Sequence, residues 1–136
     1  MHKTLRVGLT VGVWDYCHPG HVNFLLKCLA SCDDLIVGVQ RDPSEQKGTD
    51  ATFSLEQRVS SVSTLSSRIT AKPYDTVSEI ANEVSFTVFL SGPDQTHEGF
   101  QSVFKLCEVE GFQIVTIPRT PGISSTSLRA SSKTVD

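Results

Sequence analysis

Apolar and polar positions alternate in blocks along this chain, and the blocks change period. Residues 5–13, Leu-Arg-Val-Gly-Leu-Thr-Val-Gly-Val, are β-branched and apolar with little polar alternation. That is the pattern of a central strand covered on both faces. Beyond a break at residues 14–19, the spacing of Leu25, Cys28, Leu29 and Cys32 at steps of three and four predicts a helix over 20–32, closed by Asp33 and Asp34. Residues 35–40, Leu-Ile-Val-Gly-Val-Gln, read as a second buried strand, and a long polar loop with Pro43, Lys47 and Gly48 follows to residue 53. Ser54 and Gln57 then stand as the two ends of a capping box, ahead of an amphipathic helix whose apolar face is Leu55, Val59, Val62 and Leu65. Further on, the pattern predicts a short edge strand at 68–71, a helix at 77–84, a strand at 85–91 ended by Gly92, Pro93 and Asp94, a helix within 100–110, a strand at 112–117 and a short helix near 126–130.

Strands that alternate with helices in this way build an α/β fold, because right-handed crossovers place helices on both faces of a parallel sheet. The expected architecture is one domain over residues 1–136: a doubly wound, Rossmann-like five-stranded parallel sheet in the order 3-2-1-4-5. In that order the carboxyl ends of the first and fourth strands meet at the switch point, where such sheets bind ligands. Those ends carry residues 15–21 and 92–94, and the fifth strand beside them leads into Arg119.

Composition narrows the function classes. With 136 residues, 38% apolar and 20% charged, the chain is long enough to bury a real core. A net charge of −3 argues against broad adhesion to nucleic acid or anionic lipid, so an anion site has to be assembled locally. No stretch reaches the roughly 18 apolar residues of a membrane span, and the first residues run straight into a strand, so no membrane insertion and a cytoplasmic location are expected. Cys17, Cys28, Cys32 and Cys107 show no Cys-x-x-Cys spacing and read as reduced thiols, mostly small core fillers.

Two segments about a hundred residues apart carry the chemistry. His18-Pro19-Gly20-His21 lies where the first strand gives way to a helix, so both imidazoles can face an anion at the helix N-terminus, and Gly20 leaves room for close approach. A pair of surface histidines, or part of a metal site, is the plainer alternative. A zinc site completed by Cys28 fails on distance, since seven helical residues span ~10 Å. At the other end, Arg119 offers a planar fork, and Thr120, Gly122, Ile123, Ser124, Ser125 and Thr126 line up hydroxyl and N–H donors before the last helix. A merely flexible Pro- and Ser-rich tail is the alternative there.

Taken together these segments resemble the cytidylyltransferases, the His-x-Gly-His branch of the nucleotidyltransferase superfamily. The resemblance runs from Val7 to Arg129. In order, it rests on residues 12–15 (Gly-Val-Trp-Asp), 18–21 (His-Pro-Gly-His), 35–42 (Leu-Ile-Val-Gly-Val-Gln-Arg-Asp), 54–58 (Ser-Leu-Glu-Gln-Arg), 92–94 (Gly-Pro-Asp) and 119–124 (Arg-Thr-Pro-Gly-Ile-Ser). It implies in-line attack by a substrate phosphate on the α-phosphorus of CTP, with Mg²⁺ assistance, release of pyrophosphate and no covalent intermediate. His18, His21, Lys47 and Arg119 are the catalytic residues it implies. Val13, Trp14, Asp15, Gly20, Gly92, Asp94, Thr120, Gly122, Ile123, Ser124, Ser125 and Thr126 would hold the nucleotide, and Arg58, Arg68 and His97 would face the second substrate. No residue is assigned as a protein metal ligand.

In size and motifs the resemblance is greatest to glycerol-3-phosphate cytidylyltransferases, which implies a small alcohol phosphate as acceptor, a place in phospholipid or teichoic acid precursor synthesis, and a homodimer. The chain departs from the family at Val13-Trp14-Asp15, where relatives often carry Thr-Phe-Asp. It also has Thr49 and Asp50 beside Lys47, and Ser66-Ser67-Arg68 where relatives keep an arginine near position 66. Two other readings stay open: an adenylyltransferase of the same superfamily, and a binding or assembly module that keeps the fold without turnover.

Overall fold

In the computed structural model, residues 5–15, 19–42, 53–92 and 98–118 are described. The strands are β1 (Val7–Gly12), β2 (Asp34–Gln40), β3 (Ile69–Tyr74), β4 (Val88–Ser91) and β5 (Gln113–Thr116). Between them run the helices α1 (Pro19–Ala30), α2 (Leu55–Ser63), α3 (Val77–Glu83) and α4 (Glu98–Glu110). All four strand pairings are parallel and the order is β3-β2-β1-β4-β5, as the alternation of blocks predicts.

The chain winds outward through β1, β2 and β3, then returns to the other side of β1 for β4 and β5. That reversal sends the helices to opposite faces. Leu25, Cys28 and Leu29 of α1 and Val62 of α2 pack with Leu35, Val37 and Val39 on one face. Val77, Ile80 and Ala81 of α3 and Phe100, Val103 and Cys107 of α4 pack with Leu9, Val11 and Phe89 on the other. Strand side chains alternate between faces, so each central strand feeds two cores and reads as continuously apolar.

Local chemistry sets the ends of several elements. The capping box is present: Ser54 Oγ accepts from the Gln57 N–H, and Gln57 Oε1 accepts from the Ser54 N–H. Thr76 caps α3 by accepting from the Glu79 N–H. Gly111, at φ +75°, ends α4, and the Phe112 N–H reaches back to the Cys107 carbonyl at 2.9 Å. That is the 6→1 bond of a left-handed helix stop, a conformation glycine adopts without steric cost.

Three expectations shift. The helix over 20–32 starts at Pro19 and stops at Ala30, and Asp34 already belongs to β2, because the Asp33 and Asp34 N–H groups donate to the Arg6 carbonyl at the foot of the sheet. The edge strand expected at 68–71 extends through Pro73 to Tyr74, since an edge position needs no donor from proline. The strand expected over 85–91 pairs only from Val88, while Phe86 turns into the core against Phe89 and Phe112. The short helix expected near 126–130 lies outside the described residues.

Cys28, Cys32 and Cys107 are buried free thiols, in keeping with their reading as core fillers. No described helix is long and apolar enough to cross a membrane.

Candidate functional site at the carboxyl edge of the sheet

β1 ends at Gly12, and the chain turns through residues 13–15. Trp14 makes that turn with φ +59°, a left-handed conformation that is strained for a bulky side chain. Holding it costs of order 1–3 kcal/mol, so the surroundings must over-determine it. Three contacts do so. The Trp14 indole Nε1–H donates to the Gly38 carbonyl of β2 at 2.8 Å. The Val13 carbonyl accepts from Arg58 Nη1 at 3.1 Å, and Asp15 Oδ1 accepts from the Phe53 N–H at 2.9 Å. Gly12 contributes by having no side chain, since a Cβ there would come within 3.0–3.1 Å of the indole ring carbons.

Arg58 is the hub of this edge. It is only 3% exposed. Its Nε donates to the Phe53 carbonyl at 3.1 Å, Nη1 to Gln40 at 2.6 Å as well as to Val13, and Nη2 to Arg41 at 3.3 Å. One guanidinium thus ties together the loop after β1, the end of β2 and the start of α2. Burial lowers its pKa, and the nearby Asp15 carboxylate opposes that shift. Four of its five N–H donors are spent on backbone, so on this edge it acts as a tie between segments.

His21 lies on α1 with its imidazole in a T-shaped contact with Trp14, ring centroids 5.3 Å apart and planes at 75°. Phe24, one turn on, approaches the same indole at 6.1 Å. Gly92, just past β4, faces this cluster: a Cβ there would lie 3.8 Å from the Phe24 ring. From β5, the Pro118 carbonyl lies 3.5 Å from Nζ of Lys27 on α1, and the Ile117 N–H donates to the Ser91 carbonyl at 2.8 Å. The carboxyl ends of β1, β4 and β5 therefore meet beside α1, with Val13, Trp14, Asp15, Gly20, His21 and Gly92 on one edge.

Arg68 is not brought to this edge. It immediately precedes β3, and six strand residues, roughly 20 Å, separate it from the carboxyl ends. Its Nη1 donates to the Cys32 and Asp33 carbonyls at 3.2 and 3.3 Å, so its local role is to join the feet of β2 and β3. The expected site residues His18, Lys47, Asp94, His97, Arg119, Thr120, Gly122, Ile123, Ser124, Ser125 and Thr126 lie outside the described residues.

The reading of residues alone missed two things. It did not foresee the burial of Arg58, although Leu55, Arg58, Val62 and Leu65 recur at steps of three, four and three, which sets Arg58 inside the apolar stripe of α2. It also missed the Gly38, Gln40 and Arg41 carbonyls as anchors, and no side-chain pattern signals a backbone acceptor.

Comparison with known proteins agrees with this geometry. A family model described as cytidylyltransferase-like matches residues 9–131. The bifunctional protein HldE of Hyphomonas neptunium is 30% identical over 139 residues, covering 96% of this chain and 28% of its own length. HldE of Acidiphilium cryptum is 30% identical over 129 residues, covering 90% of this chain and 26% of its own. The chain thus spans about a quarter of the length of these curated relatives.

Among solved structures, the lipopolysaccharide core biosynthesis protein of Thermoplasma volcanium superposes with a TM-score of 0.66 at 21% identity, over 86% of this chain and 98% of that one. A bifunctional NMN adenylyltransferase/ADP ribose pyrophosphatase of Francisella tularensis, complexed with AMP and a manganese ion, gives 0.60 at 12% identity, over 94% and 41%. At such identities the likeness is one of fold. With the sheet order, the helix-start histidine and a match over most of its length, this chain belongs to the cytidylyltransferase-like family of nucleotidyltransferases.

Proposed function

We propose that the chain transfers a nucleotidyl group from a nucleoside triphosphate to a phosphorylated small molecule and releases pyrophosphate, with ATP as the donor. The observation that carries the transfer reading is the meeting of the β1 turn, the His21 end of α1, Gly92 and the Pro118 end of β5 on one sheet edge. Joining a phosphate monoester to a triphosphate concentrates negative charge, and donors arranged at a helix N-terminus relieve it. In this reading an acceptor phosphate oxygen bonds to the α-phosphorus as the bond to the β-phosphate oxygen breaks. His21, with His18, donates hydrogen bonds to the transferring group, while Lys47, Arg119 and the donors of residues 120–126 hold the triphosphate and Asp94 lies by the nucleoside. His97 faces the acceptor.

ATP is supported by the likeness in fold to a bifunctional protein one of whose named activities is NMN adenylyl transfer. CTP with glycerol 3-phosphate is the second reading, favoured by the run Arg119-Thr120-Pro121-Gly122-Ile123-Ser124 and by the description of the matching family. Magnesium, supplied with the triphosphate, would neutralise part of the polyphosphate charge.

The test is pyrophosphate release by the purified chain with ATP or CTP, each against sugar phosphates and alcohol phosphates in Mg²⁺. Turnover with ATP and a sugar or alcohol phosphate supports the first reading, and turnover with CTP and glycerol 3-phosphate alone supports the second. No release with either donor, while His21→Ala binds nucleotide as well as the parent, leaves a binding module and overturns both. A homodimer, proposed on the resemblance alone, is checked by light scattering at micromolar concentration.

A further inference from the structure

We infer that Trp14 is a positioning residue: its indole, anchored on the Gly38 carbonyl, sets the plane of the His21 imidazole and does not itself contact the nucleotide. This rests on the transfer reading, in which His21 touches the migrating phosphoryl group.

A ring that stacks on a base, or an N–H that binds a phosphate, has to be presented to solvent. Trp14 presents neither. It is 5% exposed, and its single donor is committed at 2.8 Å to a carbonyl inside the sheet. The ring sits among Gly12 beneath it, Phe24 at 6.1 Å and His21 at 5.3 Å. Of these neighbours only His21 bears a group able to serve phosphate chemistry.

The T-shaped contact at 75° places the edge of one ring on the face of the other, the preferred geometry for aromatic pairs. An imidazole packed this way keeps one orientation before substrate arrives. A phosphate oxygen then meets a donor already aligned, since hydrogen bonds weaken steeply off axis. The left-handed backbone at Trp14 is what turns the indole back toward β2, so the strain and the contact are parts of one arrangement.

Trp14→Leu removes both the wall and the anchor, and Trp14→Phe keeps a wall without the Nε1 donor. We expect kcat to fall about 10- to 100-fold in Trp14→Leu and less in Trp14→Phe, with donor KM within about twofold in both. Unchanged kcat, or a raised donor KM at constant kcat, would overturn the inference, the latter by making Trp14 a nucleotide contact.

A second measurement needs no variant. Trp14 is the only tryptophan, so its indole N–H gives one isolated resonance, expected to exchange slowly with solvent both with and without nucleotide. Rapid exchange, or release of that proton when nucleotide is added, refutes the anchored strut even if both variants misfold. His21→Ala keeps the two readings apart: full transfer activity in it removes the transfer role of His21 while the indole exchange result stands.

Discussion

Replacing Arg58 by methionine keeps most of the side-chain volume and deletes every donor that ties three segments together. Hydrogen bonds from a charged group contribute about 1.5–3 kcal/mol each. Four are lost, but they are not equivalent. The bond to the Gln40 carbonyl, at 2.6 Å, is buried, whereas the Phe53, Val13 and Arg41 carbonyls are partly exposed and regain water when the guanidinium goes. The full value for one bond and a fraction for the other three give about 3–5 kcal/mol, which matches the cost of breaking a buried charged contact. A domain of this kind has about 5–15 kcal/mol in total, so the variant should be folded but visibly weakened. Arg58→Lys keeps the charge, but its ammonium is a point donor that cannot span carbonyls from three segments, so it should recover less than half of the loss. Urea denaturation of the parent and both variants reads this directly as a drop in midpoint at constant m. A loss under about 1 kcal/mol in Arg58→Met, or lysine equal to arginine, would refute the view of Arg58 as a tie between strand ends.

Three other outcomes follow from the same contacts. Gly12→Ala drives a methyl into the Trp14 ring at 3.0 Å, so it should cost about 1–3 kcal/mol in urea unfolding and shift the indole emission, and an unperturbed emission spectrum would contradict the packing. Ser54→Ala removes the Oγ acceptor of the capping box while leaving the backbone N–H that donates to Gln57, and should cost about 1 kcal/mol, with no loss counting against the geometry at the start of α2. Burial pushes the Cys28 thiol from 9.0 up to about 12, with a smaller contribution from Cys32. The native state therefore holds that proton more tightly than the unfolded chain. Stability from this group is intact below pH 9 and lost between pH 9 and 12, by at most about 1.4 kcal/mol per pH unit. Urea midpoints at pH 8 and 10.5 measure the slope, which should flatten in Cys28→Ala. An equal slope in that variant would assign the alkaline loss to other groups, such as buried Tyr74, whose pKa is also raised by burial.

Apolar runs and helical spacing, which depend on neighbours within a few residues, made the sheet and its order legible. The capping box at Ser54 and the junction at His21 are likewise local, and both stand where the pattern put them. Arg58 and Arg68 show where such reading stops. Both are arginines near a helix or strand end, yet one is the buried hub of the carboxyl edge and the other joins strand feet at the opposite edge. Sequence distance from a motif did not separate them. The register of β3 against β2 and the apolar stripe of α2 did.

By itself, the sequence determined the succession of elements, the doubly wound parallel sheet and the membership in a nucleotidyltransferase family, because burial period, capping and motif order are properties of short stretches of chain. Only the tertiary structure decided that Trp14 adopts a left-handed turn against Gly38 and His21, and that Arg58 serves Val13, Gln40, Arg41 and Phe53 at once. Their partners are backbone carbonyls and a ring edge contributed by segments 5 to 45 residues away. A carbonyl carries no side-chain signature, so its use as an anchor emerges only when the strands are laid side by side.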